Sequence, residues 1–357
     1  MMENPEISAR AARLTPYTPG EQPQDRSYIK LNTNENPYPP APGVERLLRS
    51  FNAEELRLYP DPDSSALREV IAEEYGLSPE EVFVGNGSDE VLSLLFFAFF
   101  DGERGPLLFP EYTYSFYHVY CTYFDIPAQP VAMASNFSVD PSGFTAREKY
   151  CGAIFPNPNA PTGIALRREQ ITALLSSFDS RRLLAVDEAY ADFGAESCVP
   201  LLREHPNLLT VHTMSKGRSL AGLRVGFALG NRKLIEMLQR VKDSFNPYPL
   251  DRLSQAAAIE ALRDRKYYRD TARRVMKTRE TTAAQLRENG WEVLPSQANF
   301  LFVRAPSFSG REIYSRLKEE GILVRHFSTP GINEYVRITV GTEEEMEQLL
   351  SRLSIFT

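Results

Sequence analysis

The chain has 357 residues, 42% hydrophobic and 24% charged, with 26 prolines and a formal net charge of -7. That length and composition fit a folded protein of two lobes with a sizeable core, and exclude a disordered or fibrous chain. Lys and Arg are scattered rather than striped, which excludes a nucleic-acid footprint and leaves small-molecule chemistry as the expectation.

Residues 1–40 lack periodic pattern and are rich in proline, running through Pro16-Tyr17-Thr-Pro-Gly20 and Leu31-Asn-Thr-Asn34-Glu-Asn36-Pro37. Proline fixes φ and Asn favours turns, so this stretch reads as an arm draped over the rest of the molecule. Helical spacing covers 44–51 and 65–75, on either side of Tyr59-Pro60-Asp61, where the proline forces a corner that presents the tyrosine. Residues 82–85 predict a short buried strand, followed by Asn86-Gly-Ser88-Asp89-Glu90 and an apolar helix over 91–100. A strand, a Gly-containing turn and a helix start aim unpaired N–H groups and the positive dipole end at an anion. Ser88 or Asp89 is then either a plain N-cap or an anion ligand.

Residues 105–109 predict a strand leading into Pro110-Glu-Tyr112-Thr-Tyr114-Ser-Phe116-Tyr117, an aromatic cluster from which one ring can stack on a flat cofactor. Further strands are expected over 150–155, ending at Pro156-Asn157-Pro158-Asn159-Ala160-Pro161-Thr162-Gly163, and over 182–186, ending at Asp187. Another over 208–213 delivers Ser215 and Lys216, and one over 224–229 begins at Arg224. Apolar strands alternating with helices predict an α/β lobe with a mostly parallel sheet, its ligand groups at the carboxyl ends of the strands. Pro247-Tyr-Pro249 marks a lobe boundary, giving an arm (1–40), a large lobe (41–247) and a small α+β lobe (248–357). Cys121, Cys151 and Cys198 form no C-x-x-C pair, and the four histidines show no metal spacing, so neither a disulfide framework nor a metal site is expected. No basic-then-apolar leader opens the chain and no run nears the roughly 18 apolar residues of a membrane span, so a cytoplasmic location is expected.

The strand-end groups together are a lysine, an aspartate, an arginine with serines, a helix N-terminus and several tyrosines. Pyridoxal phosphate needs that set. The Lys216 amine forms a Schiff base, while Arg224, hydroxyls and helix N–H groups hold the phosphate. A carboxylate, Asp187, facing the pyridine nitrogen keeps it protonated so that the ring accepts the electrons of a substrate carbanion.

On these motifs, with Val186-Asp187-Glu-Ala-Tyr190, Ser215-Lys216, Asn299-Phe300 and Val336-Arg337-Ile-Thr-Val-Gly-Thr342, the sequence resembles fold-type I enzymes of the aspartate aminotransferase superfamily. Within them it is similar to the histidinol-phosphate aminotransferase family over essentially its whole length. The resemblance implies a large lobe with a seven-stranded-type sheet, and transamination between L-histidinol phosphate and 2-oxoglutarate. It implies that Lys216 carries the cofactor and moves the proton, Asp187 pairs with the pyridine nitrogen, Tyr190 bonds the ring hydroxyl, and Tyr112 stacks on the ring. Ser88, Asp89, Ser215 and Arg224 would surround the phosphate. Tyr59 would reach the site of a neighbouring subunit, making a homodimer, and Tyr17, Asn36, Arg325 and Arg337 would bind substrate. Aromatic amino-acid transamination and phosphothreonine decarboxylation are alternatives on the same fold. A non-enzymatic regulator would need an appended DNA-binding module, for which the chain has no spare length.

Two positions depart from the family pattern. Ala160 stands where an Asn commonly contacts the ring hydroxyl, so Asn157 or Asn159 is expected to substitute, or Tyr190 to carry the contact alone. Gly217-Arg218-Ser219 stands where Ala-Phe-Gly is usual, and Arg218 is expected to be a solvated residue.

Overall fold

Runs of four to six apolar residues, each too short for a helix, build the centre of the large lobe, and their alternation decides which face each side chain serves. The computed structural model describes residues 6–354. The arm contributes the short strand β1 (Ile29–Lys30). The large lobe follows with β2 (Val82–Asn86), β3 (Leu107–Pro110), β4 (Ala128–Val131), β5 (Gly152–Pro156), β6 (Leu183–Asp187), β7 (Leu208–Thr213) and β8 (Val225–Gly230). These form a seven-stranded sheet in the order β2-β8-β7-β6-β5-β3-β4. Every pairing is parallel except the two made by β8. This is the α/β lobe with a mostly parallel sheet that the sequence predicts.

Leu184 and Val186 of β6 pack into one core cluster and Leu183 and Ala185 into another, so the two-residue strand period supplies both faces of the sheet. Phe155 is fully buried on β5, and truncating it to Ala costs about 3–5 kcal/mol. The helix Gly87–Phe99 covers the opposite face through Val91, Leu92, Leu95 and Phe96.

The C-terminal lobe holds a second sheet, made by β9 (Glu292–Val293), β10 (Phe300–Arg304), β12 (Arg325–His326) and β13 (Val336–Thr339) in the order β12-β13-β10-β9, while β11 (Ile322–Leu323) pairs with β1 of the arm. Leu31 joins the core of this lobe, so the arm is strapped to it. Leu250, Ala257, Ala258, Ala261 and Tyr268 pack instead with the large-lobe core, and Ala283 and Leu286 with the small-lobe core. The packing therefore passes from one lobe to the other along the helix Arg265–Glu288, some way beyond Pro247 where the sequence places the boundary, because the apolar stripe of Arg252–Arg263 has the large lobe as its partner.

Candidate active site

Parallel strands bring their carboxyl ends to one edge, and the reversed β8 brings its amino end to the same edge. Asp187 ends β6, Ser215 and Lys216 follow β7, Ser88 and Asp89 follow β2, and Arg224 immediately precedes β8. These residues line one cavity of about 270 Å³, closed from the other side by Tyr17 and Thr33 of the arm and by Arg325 and Arg337 of the small lobe. Four cationic side chains, Lys216, Arg224, Arg325 and Arg337, face it against two carboxylates, Asp89 and Asp187. A concave site with that excess draws anions.

Asp187 is 5% exposed. One carboxylate oxygen accepts from the Ala189 N–H at 3.1 Å and the other from the Tyr117 hydroxyl at 3.2 Å. Burial raises its pKa to about 6, because no cation among the described residues compensates the lost hydration. Lys216 Nζ donates to the Thr33 carbonyl at 2.9 Å, and burial, with Arg337 second, lowers its pKa to about 8. A buried acid without a cation and a buried amine partly neutral near pH 8 are each poised for a group they do not find in the protein.

The phosphate end is equally specific. Arg224 sits at φ 53°, a left-handed backbone that aims its guanidinium at Asp89 Oδ2, 2.8 Å away. A Cβ on Gly87 would lie 2.5 Å from that guanidinium, and one on Gly226 would lie 2.3 Å from the Ser88 nitrogen. The two glycines thus let the helix start, the arginine and β8 come together. The Ser215 hydroxyl is buried without a hydrogen-bond partner among the described residues. An orphaned hydroxyl, an arginine and a helix N-terminus at one spot fit a phosphate dianion, and Asp187 at the far end fits a pyridinium. The residues present therefore fit pyridoxal phosphate.

Tyr190 also lines the cavity, its hydroxyl accepting from the Asn34 amide at 3.0 Å. Asn34 is fixed in turn by the Thr339 hydroxyl, which accepts from its N–H at 2.9 Å and lies 3.1 Å from its Oδ1, and by the Asn299 amide on its carbonyl. Three motifs far apart in the sequence meet here to orient one phenol.

Several expected residues lie elsewhere. The Asn157 side chain bonds both the N–H and the carbonyl of Leu166, and the Asn159 amide donates to the Tyr112 carbonyl and to Thr162. Both amides are spent holding the loop, and Ala160 and Pro161 form the cavity wall, so neither asparagine replaces the missing one. Tyr112 packs with Phe302, Ile332 and Tyr335 on the small lobe, whereas Tyr114 lines the cavity and donates to Asp89 Oδ1 at 3.0 Å. The turn after β3 thus brings Tyr114, not the expected Tyr112, to the cavity wall. Asn36 does not line the cavity; its amide donates to the Lys216 carbonyl at 3.0 Å. Tyr59 is 77% exposed, stacked on Tyr248 with ring centroids 4.8 Å apart, away from the cavity of its own chain. Arg218 is not solvated: its side chain is 14% exposed and lies between Glu74 and Asp192. Asn34, Tyr114 and Tyr117 escape sequence reasoning, and only their closeness to Asn36, Tyr112 and the aromatic cluster hinted at them.

Residues 26–353 match the family model for aminotransferase class I and II. The chain is 54% identical over 346 residues to histidinol-phosphate aminotransferase of Chromohalobacter salexigens, and 50% identical over 349 residues to that of Syntrophus aciditrophicus. In each case the match spans 97% of both chains. In fold it is similar to the histidinol-phosphate aminotransferase of Sinorhizobium meliloti in complex with pyridoxal-5'-phosphate, with a TM-score of 0.90 and 24% identity, covering 99% of this chain and 98% of that one. It is also similar to Thermus thermophilus aspartate aminotransferase with maleate, with a TM-score of 0.84 and 20% identity, covering 99% and 100%.

Proposed function

The chain belongs to the class I and II aminotransferases, and from that premise we propose that it transfers the amino group between L-histidinol phosphate and 2-oxoglutarate, a step of histidine biosynthesis. The observation that carries this is the meeting of Lys216 and Asp187 with an anion-ready end at Arg224 in one cavity. Its near full-length relatives at 50–54% identity act on the same phosphorylated amine by name.

Lys216, Asp187, Tyr190, Ser215 and Arg224 would hold the cofactor, with Tyr114 as the aromatic wall. Pyridoxal phosphate supplies an aldehyde carbon for the incoming amine and a protonated ring that withdraws electrons from the carbon losing its proton. Asp187 keeps the proton on the pyridine nitrogen, a role its buried, cation-free carboxylate suits. Lys216, with its amine free, would take the proton from the substrate carbon and return it two atoms away, across the intervening nitrogen. A pKa of about 8 keeps Nζ able to do both near neutral pH. Tyr190, oriented by the Asn34 amide, would hold the ring hydroxyl, since Ala160 offers no amide.

Arg337 and Arg325 read the substrate anion. Arg337 Nε is buried without a hydrogen-bond partner among the described residues, and its Nη2 donates to the Asn32 carbonyl at 3.1 Å. A guanidinium suits the phosphate of one substrate and the carboxylate of the other, so one site serves both half-reactions. Tyr17 closes the pocket from the arm, its ring 5.0 Å from Phe116. A homodimer in which Tyr59 completes the neighbouring phosphate site is part of the same reading. The exposure of Tyr59 and of Tyr248 stacked on it, with Leu56, Leu58 and Phe245 exposed near one or the other in sequence, supports it, since exposed apolar side chains of that kind call for a partner. No helix among the described residues is long and apolar enough to cross a membrane, and the proposed location is the cytoplasm.

The test is to mix the holoenzyme separately with histidinol phosphate, phenylalanine and phosphothreonine. Loss of the lysine-linked absorbance and formation of pyridoxamine phosphate are expected selectively with histidinol phosphate. A response to phenylalanine alone, or carbon dioxide release from phosphothreonine, would overturn the assignment.

A further inference from the structure

Behind the cavity, on the reverse side of the loop that carries Lys216, lies a group of charges the chemistry does not use. A Cβ on Gly217 would sit 1.9 Å from Asp192 Oδ2, so the aspartate occupies the space where any other residue beside the lysine would place its side chain. The other oxygen of Asp192 faces Arg218 at 3.7 Å, and a second Arg218 nitrogen faces Glu74 at 3.6 Å. The guanidinium lies 5.1 Å from the ring centre of Tyr268, and Arg265 contacts Glu74 from outside. Asp192 stands in the short turn Ala191–Phe193, directly after Tyr190.

We propose that Arg218, clamped between Asp192 and Glu74, is a positioning residue that fixes the backbone of Lys216 relative to the Asp187–Tyr190 segment. The clamp acts from behind while the Asn36 amide holds the Lys216 carbonyl from the arm side. Gly217 and Arg218 then form one device: the glycine admits the carboxylate and the arginine neutralises it. Placement of a reacting amine matters steeply, since a displacement of about 1 Å costs on the order of a hundredfold in rate. The proposal rests on Lys216 being the cofactor-bearing lysine.

The test compares Arg218→Gln, Arg218→Lys and the isosteric Asp192→Asn as full-length holoenzymes. For Arg218→Gln, kcat is expected to fall about tenfold with KM for both substrates within about twofold, the pattern of lost positioning rather than lost binding. Hydroxylamine should convert its lysine-linked chromophore at an altered rate, and amide hydrogens of residues 214–220 in the cofactor-free chain should exchange faster. Arg218→Lys should recover part of each change. If Arg218→Gln does not fold, Asp192→Asn, which keeps the shape against Gly217, carries the same expectations. A folded Arg218→Gln or Asp192→Asn with unchanged kcat, trapping rate and exchange overturns the inference. Wild-type protein that forms no lysine-linked chromophore overturns the cofactor assignment instead, which keeps the two failures apart.

Discussion

Asp187 and Glu188 are neighbours at the end of one strand, yet they face opposite sides of the sheet and opposite kinds of surroundings. Glu188 accepts from the Ser197 hydroxyl at 2.6 Å and the Cys198 N–H at 2.5 Å, within a polar group that includes His212 and Arg218. Burial raises it to about 7 and lowers His212 to about 3, so their 3.8 Å approach joins a neutral ring to a carboxyl rather than an ion pair. The reverse side finds its partners within the protein. On the cavity side, among the described residues, Asp187 has no cation beside it, the Ser215 hydroxyl has no hydrogen bond, and Lys216 Nζ donates to the Thr33 carbonyl rather than to a carboxylate. Neither burial nor a missing partner alone marks a functional group, since the Ser219 and Thr278 hydroxyls are also buried without a hydrogen bond among the described residues; the two together in one cavity do.

The sharpest way to break that contrast is Lys216→Ala, for which turnover should fall by about 10⁴-fold and no lysine-linked absorbance should form. A variant within tenfold of wild type would remove Lys216 from the chemistry. Asp187→Asn should lower kcat by about 10²–10³-fold, and it also tests the electrostatics directly. Because the folded pKa is raised from 3.8 to about 6, the unfolded chain releases its proton first, and the cost to the cofactor-free fold grows between pH 4 and 6 and is complete above. Cofactor-free Asp187→Asn should thus be more stable than wild type at pH 8, by about 3 kcal/mol at most, and no more stable near pH 4. Thermal melts at the two pH values decide it.

Arg337→Ala should raise KM for histidinol phosphate and glutamate alike by about 10–100-fold, from the loss of a charge-assisted bond made to each. Unchanged steady-state kinetics with both would take it out of the site. For Tyr59→Phe a weakening of cofactor binding by about tenfold is expected, corresponding to one hydrogen bond to a charged group, and equilibrium dialysis measures it. On the reverse side, His212→Gln should act on stability alone in its pH dependence. The folded pKa is depressed, so wild type loses stability as pH falls below 6.5 while the unfolded chain takes up the proton. The variant should flatten that acid limb in denaturant titrations at pH 5 and pH 8.

Much of this site is legible in the chain. Lys216, Asp187, Tyr190, Ser215 and Arg224 each stand at the end or start of a predicted strand, and parallel topology gathers such positions at one edge. What is not legible lies in turns, where two like residues sit two apart. Tyr112 and Tyr114, and Asn34 and Asn36, are interchangeable to pattern and motif, and only the path of the backbone turns one of each pair into the cavity. Asn157 and Asn159 mislead for the same reason: their amides close the loop onto itself. Arg218 reads as a surface residue because its partners, Glu74 and Asp192, are remote in sequence.

The sequence by itself determined the α/β class, the order of the elements along the chain, the cofactor and the lysine proposed to carry it. Strand periodicity and strand-end chemistry are local, and local pattern survives in one dimension. The tertiary structure decided which aromatic ring walls the cavity, that Asn34 orients Tyr190, and that the large-lobe packing extends past residue 247. It also decided that a carboxylate fills the space beside Gly217. Each of these depends on contacts between segments far apart in the chain, and side-chain direction in a turn is set by those contacts rather than by the residues of the turn.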